Sequence, residues 1–235
     1  MPTTQRVPVA DGESVAVVHH EAPADDWLFF CHGFLSDKSG SYETRCERAV
    51  EEGYNAVRFD FRGCGESDGA FVDQTLTAKL ADLEAVVDHF DPREYVLFGS
   101  SFGGKVAFHT AATDERVTAV VTRAPVTSNE AFEDYRAIVE REGTVELDTG
   151  VSIDERFFED FDRYPFEDVS ERLCCPVAIL HGADDVVVPI AGSFDAAAAL
   201  DTHVCLEKFA GEGHRFSRAA EATLRQRVFD WLDSR

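Results

Sequence analysis

The pentapeptide Gly99-Ser100-Ser101-Phe102-Gly103 stands between the apolar run Tyr95-Val96-Leu97-Phe98 and the helix-forming run Lys105-Val106-Ala107-Phe108-His109. The first run reads as a buried strand and the second as a helix, so the pentapeptide is a sharp strand-to-helix turn with Ser101 at its tip. Such a turn crowds its central residue against the backbone two positions to either side, which accounts for Gly99 and Gly103. A serine hydroxyl is a weak nucleophile at neutral pH; it must be held clear of the fold, near a base and beside donors that stabilise an oxyanion. The turn does the first, and the N-terminus of the following helix favours negative charge at the same point. The segment therefore predicts a nucleophilic serine at position 101.

Working outward, strand-like runs fall near residues 14–19, 27–31, 55–59, 95–99, 117–122, 176–181 and 203–208. Helical patterns occupy residues 42–52, 76–90, 102–113, 190–199 and 219–231. Continuous apolar strands alternating with amphipathic helices predict a mostly parallel sheet covered on both faces, in a fold of the α/β class. Ligands bind such sheets beyond the carboxyl ends of the strands. The residues with chemistry to offer follow strand ends: His32-Gly33-Phe34, Asp60-Phe61-Arg62-Gly63, Ser101, and His181-Gly182-Ala183-Asp184-Asp185.

One stretch breaks the alternation. Residues 126–172 are rich in acidic and aromatic side chains, with helical patterns near 130–141 and 154–161 and no clear core strand. An excursion of this length between two strands predicts a cap over the site. Phe132, Tyr135, Phe157, Phe158, Phe161 and Tyr164 are expected to pack that cap onto the sheet. The 235 residues, 44% of them hydrophobic, suit a single domain over residues 1–235 with the cap at 126–172.

The formal net charge of −23 comes from 45 acidic residues against 22 basic ones, only four of them lysines (Lys38, Lys79, Lys105, Lys208). That field repels nucleic acid and anionic membranes, so neither is an expected partner. It suits a halophilic protein, in which concentrated salt screens the self-repulsion and surface carboxylates hold water, although an ordinary acidic enzyme has the same sign. No basic and apolar leader and no run of ~18 apolar residues is present, so a cytoplasmic location is expected. The six cysteines show no metal-ligand spacing and suit a reducing compartment, with Cys31 and Cys205 expected in the core. Any homodimer is expected to use the cap or an exposed face at residues 196–200.

The motifs His32-Gly33-Phe34, Asp60-Phe61-Arg62-Gly63-Cys64-Gly65-Glu66-Ser67, Gly99-Ser100-Ser101-Phe102-Gly103-Gly104, His181-Gly182-Ala183-Asp184-Asp185 through Pro189, and Gly213-His214 together resemble the α/β-hydrolase superfamily over nearly the whole chain. Within it the sequence is most similar to small capped serine esterases of the feruloyl or cinnamoyl type. The resemblance implies the α/β-hydrolase fold and a triad in the order Ser, Asp, His. Ser101 is then the nucleophile and His214, in the loop before the final helix, the base. Asp184 and Asp185 compete for the third place, and the family's spacing to the Pro189 position selects Asp185. The backbone N–H groups of Phe102 and, by resemblance, Phe34 form the oxyanion hole. His32, Asp60, Arg62 and Ser67 are read as loop-fixing residues, a carboxylate and a guanidinium holding the turn.

No cofactor and no metal is implied, since the triad accounts for His181, Asp184 and Asp185 better than a metal site does and Gly63-Cys64-Gly65 lacks the third glycine of a dinucleotide fingerprint. The expected activity is hydrolysis of a small acyl ester through an acyl-serine intermediate. A thioesterase, acyltransferase, carbon–carbon bond hydrolase or small peptidase shares the triad, and a binding protein shares the fold.

Overall fold

A computed structural model describes the backbone of residues 1–235 and every side chain except that at position 11. The strands are β1 (Thr3–Pro8), β2 (Ser14–His20), β3 (Asp26–Cys31), β4 (Tyr54–Phe59), β5 (Tyr95–Ser100), β6 (Val117–Arg123), β7 (Thr144–Glu146), β8 (Ser152–Asp154), β9 (Val177–Gly182) and β10 (Val204–Phe209). The helices are α1 (Ser41–Glu51), α2 (Leu76–Phe90), α3 (Phe102–Ala111), α4 (Glu133–Glu142), α5 (Glu155–Phe161), α6 (Phe166–Arg172), α7 (Ala191–Ala199) and α8 (Arg218–Asp233).

Eight strands form one sheet in the order β1-β2-β4-β3-β5-β6-β9-β10. β1 and β2 run antiparallel to their neighbours, and every pairing from β4 to β10 is parallel. This is the α/β-hydrolase fold with the mostly parallel sheet that the apolar runs predict. Because side chains alternate along a strand, β3 divides its residues between two cores. Leu28 and Phe30 meet α1 and α8 through Cys46, Leu224 and Val228 on one face. Phe29 and Cys31 meet α2 and α3 through Leu83, Val106 and Phe108 on the other. Burial on both faces is why β3, β5 and β6 carry no polar alternation.

Residues 126–172 leave the sheet after β6 and return to it at β9. They hold α4, the β7–β8 hairpin, α5 and α6. Phe132, Phe157, Phe158 and Phe161 are buried in the same core as α2 and α3, so they pack this segment down onto the sheet.

One burial expectation fails. Cys205 is exposed, because β10 is an edge strand with only one covered face, whereas Cys31 is fully buried. No helix among the described residues is long and apolar enough to cross a membrane.

Candidate active site

The site begins at the end of β5. Ser101 has φ 53° and ψ −118°, a conformation costly for a residue with a Cβ. Three hydrogen bonds fix it there: its N–H donates to Arg123 O at 2.9 Å, and its carbonyl accepts from Gly104 N–H at 2.9 Å and Val126 N–H at 3.1 Å. The turn is also sterically closed. A Cβ on Gly99 would run into the Gly103 backbone, and one on Gly103 into the carbonyls of Cys31 and His32. The two glycines are thus required by close backbone approach, as the pentapeptide predicts.

The end of β9 supplies the carboxylates. Asp184 points to solvent, whereas Asp185 is buried and its Oδ2 lies 2.8 Å from His214 Nδ1. Asp185 Oδ1 accepts from the N–H groups of Val187 and Val188, each at 2.9 Å. His181 Nε2 lies 3.2 Å from Oδ2. Burial opposes ionisation of Asp185, but the hydrogen bonds from His181, His214 and Val188 outweigh it and hold the carboxyl well below the ordinary carboxylate range. The anion fixes His214 with its proton on Nδ1, leaving Nε2 as the basic nitrogen.

Ser101, His214 and Phe34 line one cavity of about 680 Å³. Its opposite wall comes from the segment after β6 through Val126, Ala131, Phe132 and Tyr135, with Val187 and Val188 at the β9 side. The Ser101 hydroxyl makes no hydrogen bond, to His214 or to any other group, among the described residues. The Phe34 N–H has no acceptor among the described residues. Phe102 opens α3, so its N–H is one of the unpaired donors of a helix N-terminus. The Phe34 ring lies 6.0 Å from that of Phe102 and 5.2 Å from that of Phe132, which anchors the loop to the segment after β6.

The other motif residues fix loops. His32 Nε2 accepts from Phe61 N–H at 3.1 Å while Nδ1 faces Gly33 O at 2.8 Å, and burial, with the nearby Lys79 charge, pulls its pKa down to about 4. Ser67 Oγ donates to Asp60 O at 2.6 Å. The expected carboxylate–guanidinium pair is not between Asp60 and Arg62. Asp60 binds the Lys38 ammonium at 2.6 Å and Arg62 binds Asp82 at 2.6 Å, because the turn sends the two side chains to α1's approach and to α2 respectively.

A group absent from the sequence expectations surrounds His214. Arg123, at the end of β6, donates to His214 O at 2.7 Å. Glu221 of α8 lies 3.9 Å from the Arg123 guanidinium and takes a two-pronged contact from Arg45 at 2.8 and 2.9 Å. Arg45 also reaches Ser100 Oγ at 3.3 Å. The available signal was positional: Arg123 closes an apolar strand at the same rim as the other motif residues. Among the described residues no group of three or more His, Cys, Asp or Glu is arranged to hold a metal ion.

A family model described as the alpha/beta hydrolase fold matches residues 26–145. The mitochondrial palmitoyl-protein thioesterase ABHD10 of Rattus norvegicus is 27% identical over 214 residues, which cover 84% of this chain and 71% of the relative. The solved structure of alpha/beta hydrolase domain-containing protein 10 from mouse superposes with a TM-score of 0.88 at 22% identity, covering 99% of each chain. Est1E from Butyrivibrio proteoclasticus, with ferulic acid bound, superposes with a TM-score of 0.87 at 20% identity over 98% of each chain.

Proposed function

The chain belongs to the alpha/beta hydrolase fold family, and from that premise we propose that it is a serine hydrolase that cleaves carboxylic esters through an acyl-serine intermediate. The observation that carries the reading is the convergence on one cavity of a serine held at positive φ and a histidine bonded to a buried carboxylate. Ser101 Oγ attacks the acyl carbonyl as His214 Nε2 takes its proton. The N–H groups of Phe34 and Phe102 receive the oxyanion, and Asp185 stabilises the imidazolium. Collapse expels the alcohol, protonated by His214. Water then attacks the acyl-serine with His214 as base, releasing the acid and restoring Ser101.

Residues 126–172 serve as the cap of this single domain. Val126, Ala131, Phe132 and Tyr135 give the acyl group an apolar wall, and a volume of about 680 Å³ accommodates a small-molecule substrate. The ester is drawn as uncharged at its reacting end, in keeping with the acidic exterior.

A second reading, thioester hydrolysis, is favoured by the name of the relatives 27% identical to this chain, which are palmitoyl-protein thioesterases. The steps are the same, with a thiolate as the leaving group. Paired oxygen esters and thioesters of one acyl group separate the two. A higher kcat/KM for the ester supports the first reading and a higher value for the thioester the second. Turnover of neither by folded protein contradicts both.

A further inference from the structure

A second cavity of about 510 Å³ lies at the seam between the cap and the core, walled by α3, residues 127–130, α5, α6 and α7. It shares no lining residue with the cavity that holds Ser101. Lys105 is the single basic residue among those lining it, and that side chain is almost wholly enclosed, at 2% exposure. Its ammonium donates to Tyr164 O at 2.6 Å and lies 4.4 Å from the centre of the Phe161 ring.

An ammonium group has three N–H donors, and taking it out of water without a counter-ion is costly. The buried Lys38 meets this cost with two carboxylates, Asp60 and Glu66. Lys105 has no carboxylate within salt-bridge distance among the described residues. Asp162, the nearest acid to act on it, is engaged by Arg136 and Asn129. Burial pulls the Lys105 pKa down to about 8, so the group remains mostly protonated at neutral pH.

We propose that this seam cavity is a binding site for a small monocarboxylate, whose head group pairs with the Lys105 ammonium and whose tail lies against Phe161, Phe166 and Ala196. The charges around it set the class of ligand. Glu130, Asp162, Glu167 and Asp195 line it and are exposed, and they repel a second negative charge, so the site takes one carboxylate on an apolar body and rejects dianions. Concentrated salt screens that edge far more than it screens the enclosed ammonium. Lys105 lies on α3, the helix whose first residue is Phe102, and Phe161 belongs to the cap, so an occupant ties cap to core close to the Ser101 turn. A carboxylic acid is also what the proposed hydrolysis releases; product feedback through this site rests on that reading, while the site itself does not.

The test is titration of hexanoate into protein carrying ¹⁵N-labelled lysine, followed at the four lysine Nζ resonances, with hexanol as the uncharged control. Lys105 is assigned with Lys105→Arg, and crystals grown with 6-bromohexanoate locate the bromine by anomalous scattering without any variant. The proposal predicts that hexanoate raises the Lys105 titration midpoint by about one unit while hexanol leaves it in place. It also predicts a bromine peak in the seam cavity. An unmoved Lys105 midpoint, an equal response to hexanol, or bromine confined to the Ser101 cavity overturns it. Hydrolytic activity enters none of these readouts, so the outcome stands apart from that of the proposed reaction.

Discussion

The guanidinium of Arg123 donates to the backbone carbonyl of His214 at 2.7 Å, while the carbonyl of the same arginine accepts from Ser101 N–H at 2.9 Å. One residue at the end of β6 therefore sets the spacing between the serine turn and the histidine loop. Its Nε is buried without a partner among the described residues, so the fork is held by the carbonyl and by Glu221. Arg123→Gln is expected to lower kcat about 10²-fold with little change in KM, because a misplacement of about 1 Å at the reacting groups costs that much. Steady-state kinetics on a chromogenic ester check it. A loss confined to KM would assign Arg123 to substrate binding instead.

The glycine at position 103 is fixed by contact with the backbone of β3 and its following loop. Gly103→Ala places a methyl group against the carbonyls of Cys31 and His32, neither of which can turn away. The expected cost is about 3 kcal/mol, the upper end for forced overpacking. A urea unfolding midpoint within error of wild type would remove the steric account of the turn.

Much of the architecture is legible in the sequence because burial on both faces leaves β3, β5 and β9 as largely apolar runs, and because the sharp Ser101 turn admits so few residues. β1 is not legible: Val7 is its only buried side chain, and the strand holds by pairing its backbone with β2. The β7–β8 hairpin has three residues to a strand and α6 buries only Val169, too little for a period to appear. Cys205 misleads because an apolar edge strand and an apolar central strand read alike. The Asp60–Lys38 pair and the contact from Arg123 to His214 are set by tertiary approach over 22 and 91 residues, which no local pattern carries.

Acid stability is governed first by buried histidines held neutral: burial lowers the pKa of His20, and His32 and His109 are shifted furthest. Burial, helped by a neighbouring lysine charge in each case, pulls His32 down to about 4 and His109 down to about 3. Between the unfolded value near 6.5 and those folded values the unfolded chain binds more protons, so stability falls as pH falls through that window. Each histidine contributes a slope of about 1.4 kcal/mol per pH unit there. Urea unfolding at steps from pH 7 to pH 4.5, above the range of most carboxylates, is expected to show this loss. His109→Gln is expected to lower the slope by about 1.4 kcal/mol per pH unit, and an unchanged slope would contradict the assignment.

The charge of −23 comes from 45 acidic residues against 22 basic ones in the chain. At about 0.1 M salt the screening length is about 10 Å and the carboxylates repel one another across the surface; at molar salt it falls to about 3 Å. The unfolding temperature is expected to rise steadily from 0.1 M to molar potassium chloride. A flat or falling midpoint would remove the case for adaptation to high salt.

Intact-mass analysis after treatment with a fluorophosphonate in molar potassium chloride, with wild type beside Ser101→Ala and His214→Ala, tests the central claim most directly. The account predicts one adduct on wild type, none on Ser101→Ala, and greatly slowed labelling of His214→Ala. A folded wild type that takes no adduct, or a Ser101→Ala protein labelled at the wild-type rate, would contradict it.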